Sequence, residues 1–131
     1  MSTLVLDELS HDLMLRAMIT MAQADGELAD VESATISAVY NKVTGDSIEE
    51  AEIEIAAKGI LASGRALKED LSAASSSMDK QVKESIVKAA YLVLIADGEV
   101  AAGERKKLFD IANALKMPEI QVSAILEDLD S

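Results

Sequence analysis

Two short acidic segments hold the residues of this sequence that are best suited to chemistry. Each has an aspartate, a glycine and a glutamate in a row, and another glutamate five positions later. The six carboxylates are Asp25, Glu27, Glu32, Asp97, Glu99 and Glu104. Carboxylate oxygens are the ligands that hard divalent cations prefer in proteins. The pattern therefore indicates a cation site to which both segments contribute.

The two segments belong to an internal repeat. A displacement of 72 residues superimposes residues 22–36 on residues 94–108, and apolar positions match as well as acidic ones, since Leu28 falls on Val100 and Ile36 on Leu108. Repetition of a whole pattern indicates duplication of one structural unit. We expect one domain over residues 1–131, with repeat halves at about 10–64 and 79–131.

The elements that position the acidic segments are predicted to be helices. Six glycines, one proline and three aromatic residues disfavour a strand-rich fold, and the apolar residues recur at helical spacing. Residues 13–22 are apolar on nearly every side, which is typical of a helix at the centre of a bundle. Gly45 should end the second helix, and Ser47 with Glu50 should cap the third. These signals predict an all-α bundle of about seven helices.

The acidic turns also have a purely structural interpretation. Gly26 and Gly98 suit the left-handed residue that closes a helix, and Asp25 and Asp97 could accept hydrogen bonds from the free amides of the next helix. The protein would then be an adaptor that binds a partner helix in an apolar groove. An ordinary EF-hand is excluded, because most of the N-terminal ligands of its loop are missing. Loop positions 1 and 3 would hold Met21 and Gln23 in one copy and Val93 and Ile95 in the other.

The formal charge of −12 limits the classes of partner. Residues 1–64 carry 3 basic and 12 acidic side chains, whereas residues 65–131 carry 9 and 12. An acidic surface repels phosphate backbones, so nucleic acid and anionic lipid are poor partners and cations or basic proteins are better ones. The longest apolar run, residues 89–96, is too short to span a membrane. With no cysteine and no secretory leader pattern, we expect a cytoplasmic protein.

No enzyme chemistry is predicted. The sequence has no cysteine, no phosphate-binding glycine loop and no nucleophile motif. Its single histidine, His11, is expected to be a surface residue, because there is no second histidine or cysteine to complete a zinc site or a triad. Met14, Met18 and Met21 are expected to pack in the core.

The duplicated pattern Ala-Asp-Gly-x-apolar-x-x-x-Glu resembles the TerB-like domain of tellurite resistance proteins. The resemblance covers nearly the whole chain and implies a compact helical bundle and a bacterial metal-related stress response. It also implies a cation site (Ca, Mg, Mn or Zn) formed by the six carboxylates of the two turns. A protein partner is expected, of unknown identity. The chain departs from the family at Ala29 and Ala101, where a capping residue is common.

Overall fold

A computed structural model of the protein describes residues 8–22, 30–63, 67–96 and 102–130. These residues form seven α-helices and no strand, which confirms the all-α prediction. The helices, numbered in chain order, are α1 (Glu8–Ala22), α2 (Asp30–Thr44), α3 (Glu50–Ser63), α4 (Leu67–Ser75), α5 (Lys80–Ala96), α6 (Ala102–Ala114) and α7 (Glu119–Asp130). In this part of the chain, no helix is both long enough and apolar enough to cross a bilayer.

Helix α1 lies at the centre of the bundle. Nine of its fifteen residues are buried, and it packs against α5 as well as α2, α3, α4 and α6. Met14, Met18 and Met21 are fully buried, as predicted. Helix α5 is the second central element, because it contacts α1, α2, α6 and α7. All seven helices contribute to one contiguous apolar core.

The end of α2 follows the sequence prediction. Gly45 has φ 84°, a left-handed conformation that glycine adopts without a steric penalty, and its amide donates to the Asn41 carbonyl at 2.8 Å. The Thr44 hydroxyl donates to the Tyr40 carbonyl at 2.8 Å and accepts from the Asp46 amide at 3.1 Å. These bonds fix the direction in which the chain leaves the helix.

The predicted start of α3 is wrong by a few residues. The helix begins at Glu50 rather than after a cap at Ser47, and the Glu49 carbonyl accepts from the Ile53 amide at 3.3 Å. The preceding segment is held against α2, since Ile48 is buried and its carbonyl accepts a 2.8 Å hydrogen bond from the Ser37 hydroxyl. This tertiary contact delays the first helical turn.

The connection from α6 to α7 is a Schellman turn. The Met117 amide donates to the Ala112 carbonyl at 3.0 Å and the Lys116 amide to the Asn113 carbonyl at 2.9 Å. Lys116 takes the left-handed position that glycine usually holds, with φ 61°. The Pro118 carbonyl then accepts from the first amides of α7. The inward face of α7 consists of residues that are buried or partly buried, namely Val122, Ile125, Leu126 and Leu129.

Candidate functional site

Both acidic turns follow a central helix. One connects α1, which ends at Ala22, to α2, and the other connects α5, which ends at Ala96, to α6. Four of the predicted ligands, Asp25, Glu27, Asp97 and Glu99, lie outside the residues that the structure describes. Glu32 and Glu104 are the third residues of α2 and α6, and their side chains also lie outside the described part.

The helices that flank the turns pack into one unit. Helix α1 contacts α5, α2 contacts α5, and α6 contacts α1. Helix α2 begins at Asp30 and α6 at Ala102, which are 72 residues apart, as in the sequence repeat. Both turns are therefore attached to the same group of four helices. Their approach to a single ion and the duplication itself stay predictions.

The donor chemistry of the turns fits a hard cation better than zinc. Six carboxylates offer only oxygen ligands, which suit calcium, magnesium and manganese. Zinc usually takes cysteine or histidine ligands, and this sequence has no cysteine. Within the four described stretches, no group of three or more His, Cys, Asp or Glu residues is arranged to hold a metal.

The single histidine is a contact between α1 and α2, which corrects the expectation of a surface residue. His11 is partly buried, and its Nδ1 lies 2.6 Å from the Tyr40 hydroxyl. The two rings meet edge to face, with centroids 5.3 Å apart and an interplanar angle of 84°. His11 shares a helix face with Met14, Leu15 and Met18, all buried. Apolar residues three, four and seven positions after His11 are the sequence signal that could have predicted its burial.

Tyr40 is held in its neutral form at ordinary pH. Burial raises the pKa of the Tyr40 phenol above its ordinary value of 10.0, and the carboxylate of Asp46 raises it further. A hydrogen bond with Thr44 lowers the pKa, and the carboxylate of Glu52 adds the smallest rise. A neutral phenol keeps its O–H group, so it can both donate and accept hydrogen bonds. The hydrogen bond between the Tyr40 hydroxyl and His11 Nδ1 therefore fastens α2 to α1.

A second polar contact fastens α4 to α1. Arg16 Nη1 lies 2.7 Å from Asp70 Oδ2, and the two side chains are only 11% and 19% exposed. Asp12 Oδ2 is 3.8 Å from the same nitrogen and 58% exposed. A pocket of about 320 Å³ opens beside this pair, lined in part by Leu9 and Ala73. Because two carboxylates already surround the guanidinium, Arg16 is suited to holding the helices together rather than to binding an anion.

A further pocket, of about 340 Å³, lies between α6 and α7. The Schellman turn forms one wall, through Met117 and Pro118, and α6 forms the other, through Phe109 and Asn113. Lys106 stands at its edge and is exposed. No local sequence pattern predicts this pocket, because it depends on how α7 folds back on α6.

The chain matches a known protein family. The family model described as Tellurite resistance protein TerB matches residues 11–127. Neither the curated proteins nor the solved structures gave a match.

Proposed function

Since the chain belongs to the family of the tellurite resistance protein TerB, we propose that it is a non-enzymatic module that binds a hard divalent cation through its two acidic turns. The main support is the placement of the repeat. Each Asp-Gly-Glu segment follows one member of the central helix pair, α1 or α5, and these helices pack together.

Electrostatics supports the same proposal. Residues 1–64 carry 12 acidic and 3 basic side chains, so the first turn lies in a strongly negative half of the chain. Carboxylates gathered near one another repel, and a divalent cation relieves that repulsion while gaining oxygen ligands. Calcium, magnesium and manganese are the candidate ions, and zinc is the least suited of the four.

The wider role we propose is in a bacterial metal-related stress response. The description of the family, tellurite resistance, supports this setting. A sequence without cysteine is compatible with a reducing cytoplasm. The module would report ion binding to a protein partner through its surface, and no catalytic step is assigned to it.

Thermal unfolding tests the proposal. An ion that binds only the folded state stabilises it by mass action, by about 1–3 kcal/mol at roughly tenfold to hundredfold excess over Kd. We expect calcium, magnesium or manganese to raise Tm more than sodium chloride of equal ionic strength does. The double variant Asp25→Asn/Asp97→Asn should abolish the difference.

A matched control separates a site from general charge screening. Glu54 and Glu127 are exposed and lie one in each half of the chain, so Glu54→Gln/Glu127→Gln removes the same charge outside the turns. This control should keep the full response to the ion. An equal loss of response in both double variants would show that screening, not a site, is responsible.

A further inference from the structure

Among the described residues, one buried hydroxyl has no hydrogen-bond partner. The polar side chains buried in this part of the chain are Ser10, Ser33, Thr44 and Ser75. Thr44 and Ser75 each donate to a backbone carbonyl one helical turn earlier. Ser33, which is 1% exposed, has a buried Oγ without any partner. An unpaired buried hydroxyl destabilises a fold, so this one calls for an explanation.

Ser33 lies in the first turn of α2, directly after the acidic segment. Helix α2 begins at Asp30, so at 1.5 Å per residue the Cα of Ser33 lies about 4.5 Å along the helix axis from that start. Ile36 and Tyr40, three and seven positions later, share its helix face and are buried. Tyr40 contacts His11 of α1. Ser33 therefore faces the central helices at the end of α2 to which the first acidic turn is attached.

The second half of the chain has no hydroxyl at the equivalent position. Displacement by 72 residues places Ser33 on Arg105, which is exposed. The next apolar position of the repeat is equally buried in both halves, since Ile36 and Leu108 are each 0% exposed. The buried serine is therefore a feature of the first half and not a requirement of the repeated pattern.

A neutral hydrogen-bond donor suits a cation site. Carboxylates that bind a metal are themselves hydrogen-bonded, which fixes their orientation. A serine hydroxyl can donate such a bond without adding positive charge, whereas an arginine or lysine would repel the ion. Ser33 also lies in the more acidic half of the chain, where residues 1–64 carry 12 acidic and 3 basic side chains.

We propose that Ser33 is a positioning residue of the cation site, whose hydroxyl donates a hydrogen bond to an oxygen that is bound to the cation. This role rests on the proposed function of the acidic turns. Binding of the ion satisfies the hydroxyl, and the hydroxyl orients the ligand oxygen, so each favours the other. Loss of such a contact weakens metal binding by about 10–100-fold.

Thermal unfolding of the full chain, titrated with calcium, magnesium or manganese chloride, tests this proposal. The Kd follows from the rise of Tm with ion concentration, measured against sodium chloride of equal ionic strength. Ser33→Ala should raise the Kd by about tenfold or more. Ser33→Cys, which nearly keeps the volume but donates weakly, should raise it as well. In EDTA, Ser33→Ala should have a higher Tm than the wild type, because it removes an unpaired buried hydroxyl.

Ser75→Ala is the matched control. Ser75 is as buried as Ser33, at 1% exposed, but it lies in α4 and donates to the Ser72 carbonyl at 2.9 Å. This variant should keep the wild-type Kd. Its Tm in EDTA should fall rather than rise, because it loses a hydrogen bond. The two alanine variants should therefore differ in both measurements.

The possible results separate the role of Ser33 from the cation site itself. A wild-type Tm that no ion raises above the sodium chloride value would overturn both. An ion response in the wild type with an unchanged Kd in Ser33→Ala would leave the cation site standing and overturn the role of Ser33. That role would also be overturned by an equal rise of Kd in Ser75→Ala, or by a Tm of Ser33→Ala in EDTA that is no higher than the wild-type value.

Discussion

Replacement of Arg16 by methionine should destabilise the protein by far more than loss of an ordinary surface ion pair. The Arg16–Asp70 pair joins α1 to α4 at 2.7 Å with both side chains mostly buried. Methionine keeps most of the apolar stem and removes the charge. The decrease in the free energy of unfolding therefore reports on the ion pair and not on packing.

The size of the expected destabilisation follows from how deeply the Arg16–Asp70 pair is buried. Breaking a fully buried pair costs about 3–5 kcal/mol, because a charge is left without its partner, whereas exposed pairs contribute about 0.2–1 kcal/mol. Exposures of 11% and 19% place this pair nearer the first case, and we expect a loss of about 2–3 kcal/mol. The Lys68–Asp110 pair, 3.2 Å apart but 63% and 34% exposed, is the internal control.

Double-mutant cycles in urea measure both pairs. The cycle Arg16→Met with Asp70→Asn should give a coupling energy of about 1.5–2 kcal/mol, and the cycle Lys68→Met with Asp110→Asn less than about 0.5 kcal/mol. Equal coupling energies in the two cycles would refute the reasoning from burial. A coupling near zero for Arg16 and Asp70 would show that α4 is held to α1 by apolar contacts alone.

Three further predictions concern the backbone and Tyr40. Gly59→Ala should raise the free energy of unfolding by about 0.5–1 kcal/mol in a urea melt of dilute protein, since the new methyl group meets nothing within 4 Å; an unchanged or lower value would contradict the open environment. Lys116→Gly should raise the free energy of unfolding by about 0.5–1 kcal/mol in the same assay, because Lys116 has φ 61° and glycine adopts this left-handed conformation without a steric penalty. A destabilised variant would show that the lysine side chain matters more than the backbone. The raised pKa of Tyr40 means that, as pH rises, the folded state keeps the phenol proton longer than the unfolded state does. The stabilisation that this gives the folded state is therefore complete below pH 10 and is lost as pH rises above that value. The urea midpoint of the wild type should fall above pH 10 more steeply than that of Tyr40→Phe, and parallel curves would contradict this.

Local sequence signals predicted the elements whose structure is decided locally. Apolar residues on all sides placed α1 at the centre, and Gly45 marked the end of α2, where its φ of 84° needs a glycine. The pattern of residues 22–36 and 94–108 also led to the family that the match over residues 11–127 shows.

Contacts between residues distant in the chain could not be predicted in this way. His11 and Tyr40 are 29 positions apart and Arg16 and Asp70 are 54, and no helical period relates such pairs. The start of α3 was missed for the same reason, since the bond from Ser37 to the Ile48 carbonyl is a tertiary contact. The exposure of Ile55 likewise depends on which side of α3 the bundle covers. For the candidate site, the sequence supplied the ligand types, because a motif determines which side chains are present but not how far apart the fold places them.

The most direct test of the cation proposal is to find where manganese binds. In a ¹⁵N correlation spectrum, substoichiometric Mn²⁺ broadens the amide signals of residues close to it. We predict that broadening is strongest in residues 23–32 and 97–104, both segments at the same ion concentration, and is absent there in Asp25→Asn/Asp97→Asn. Broadening centred on the exposed glutamates of α3, or spread evenly over the acidic surface, would contradict a site in the turns and leave helix capping as their role.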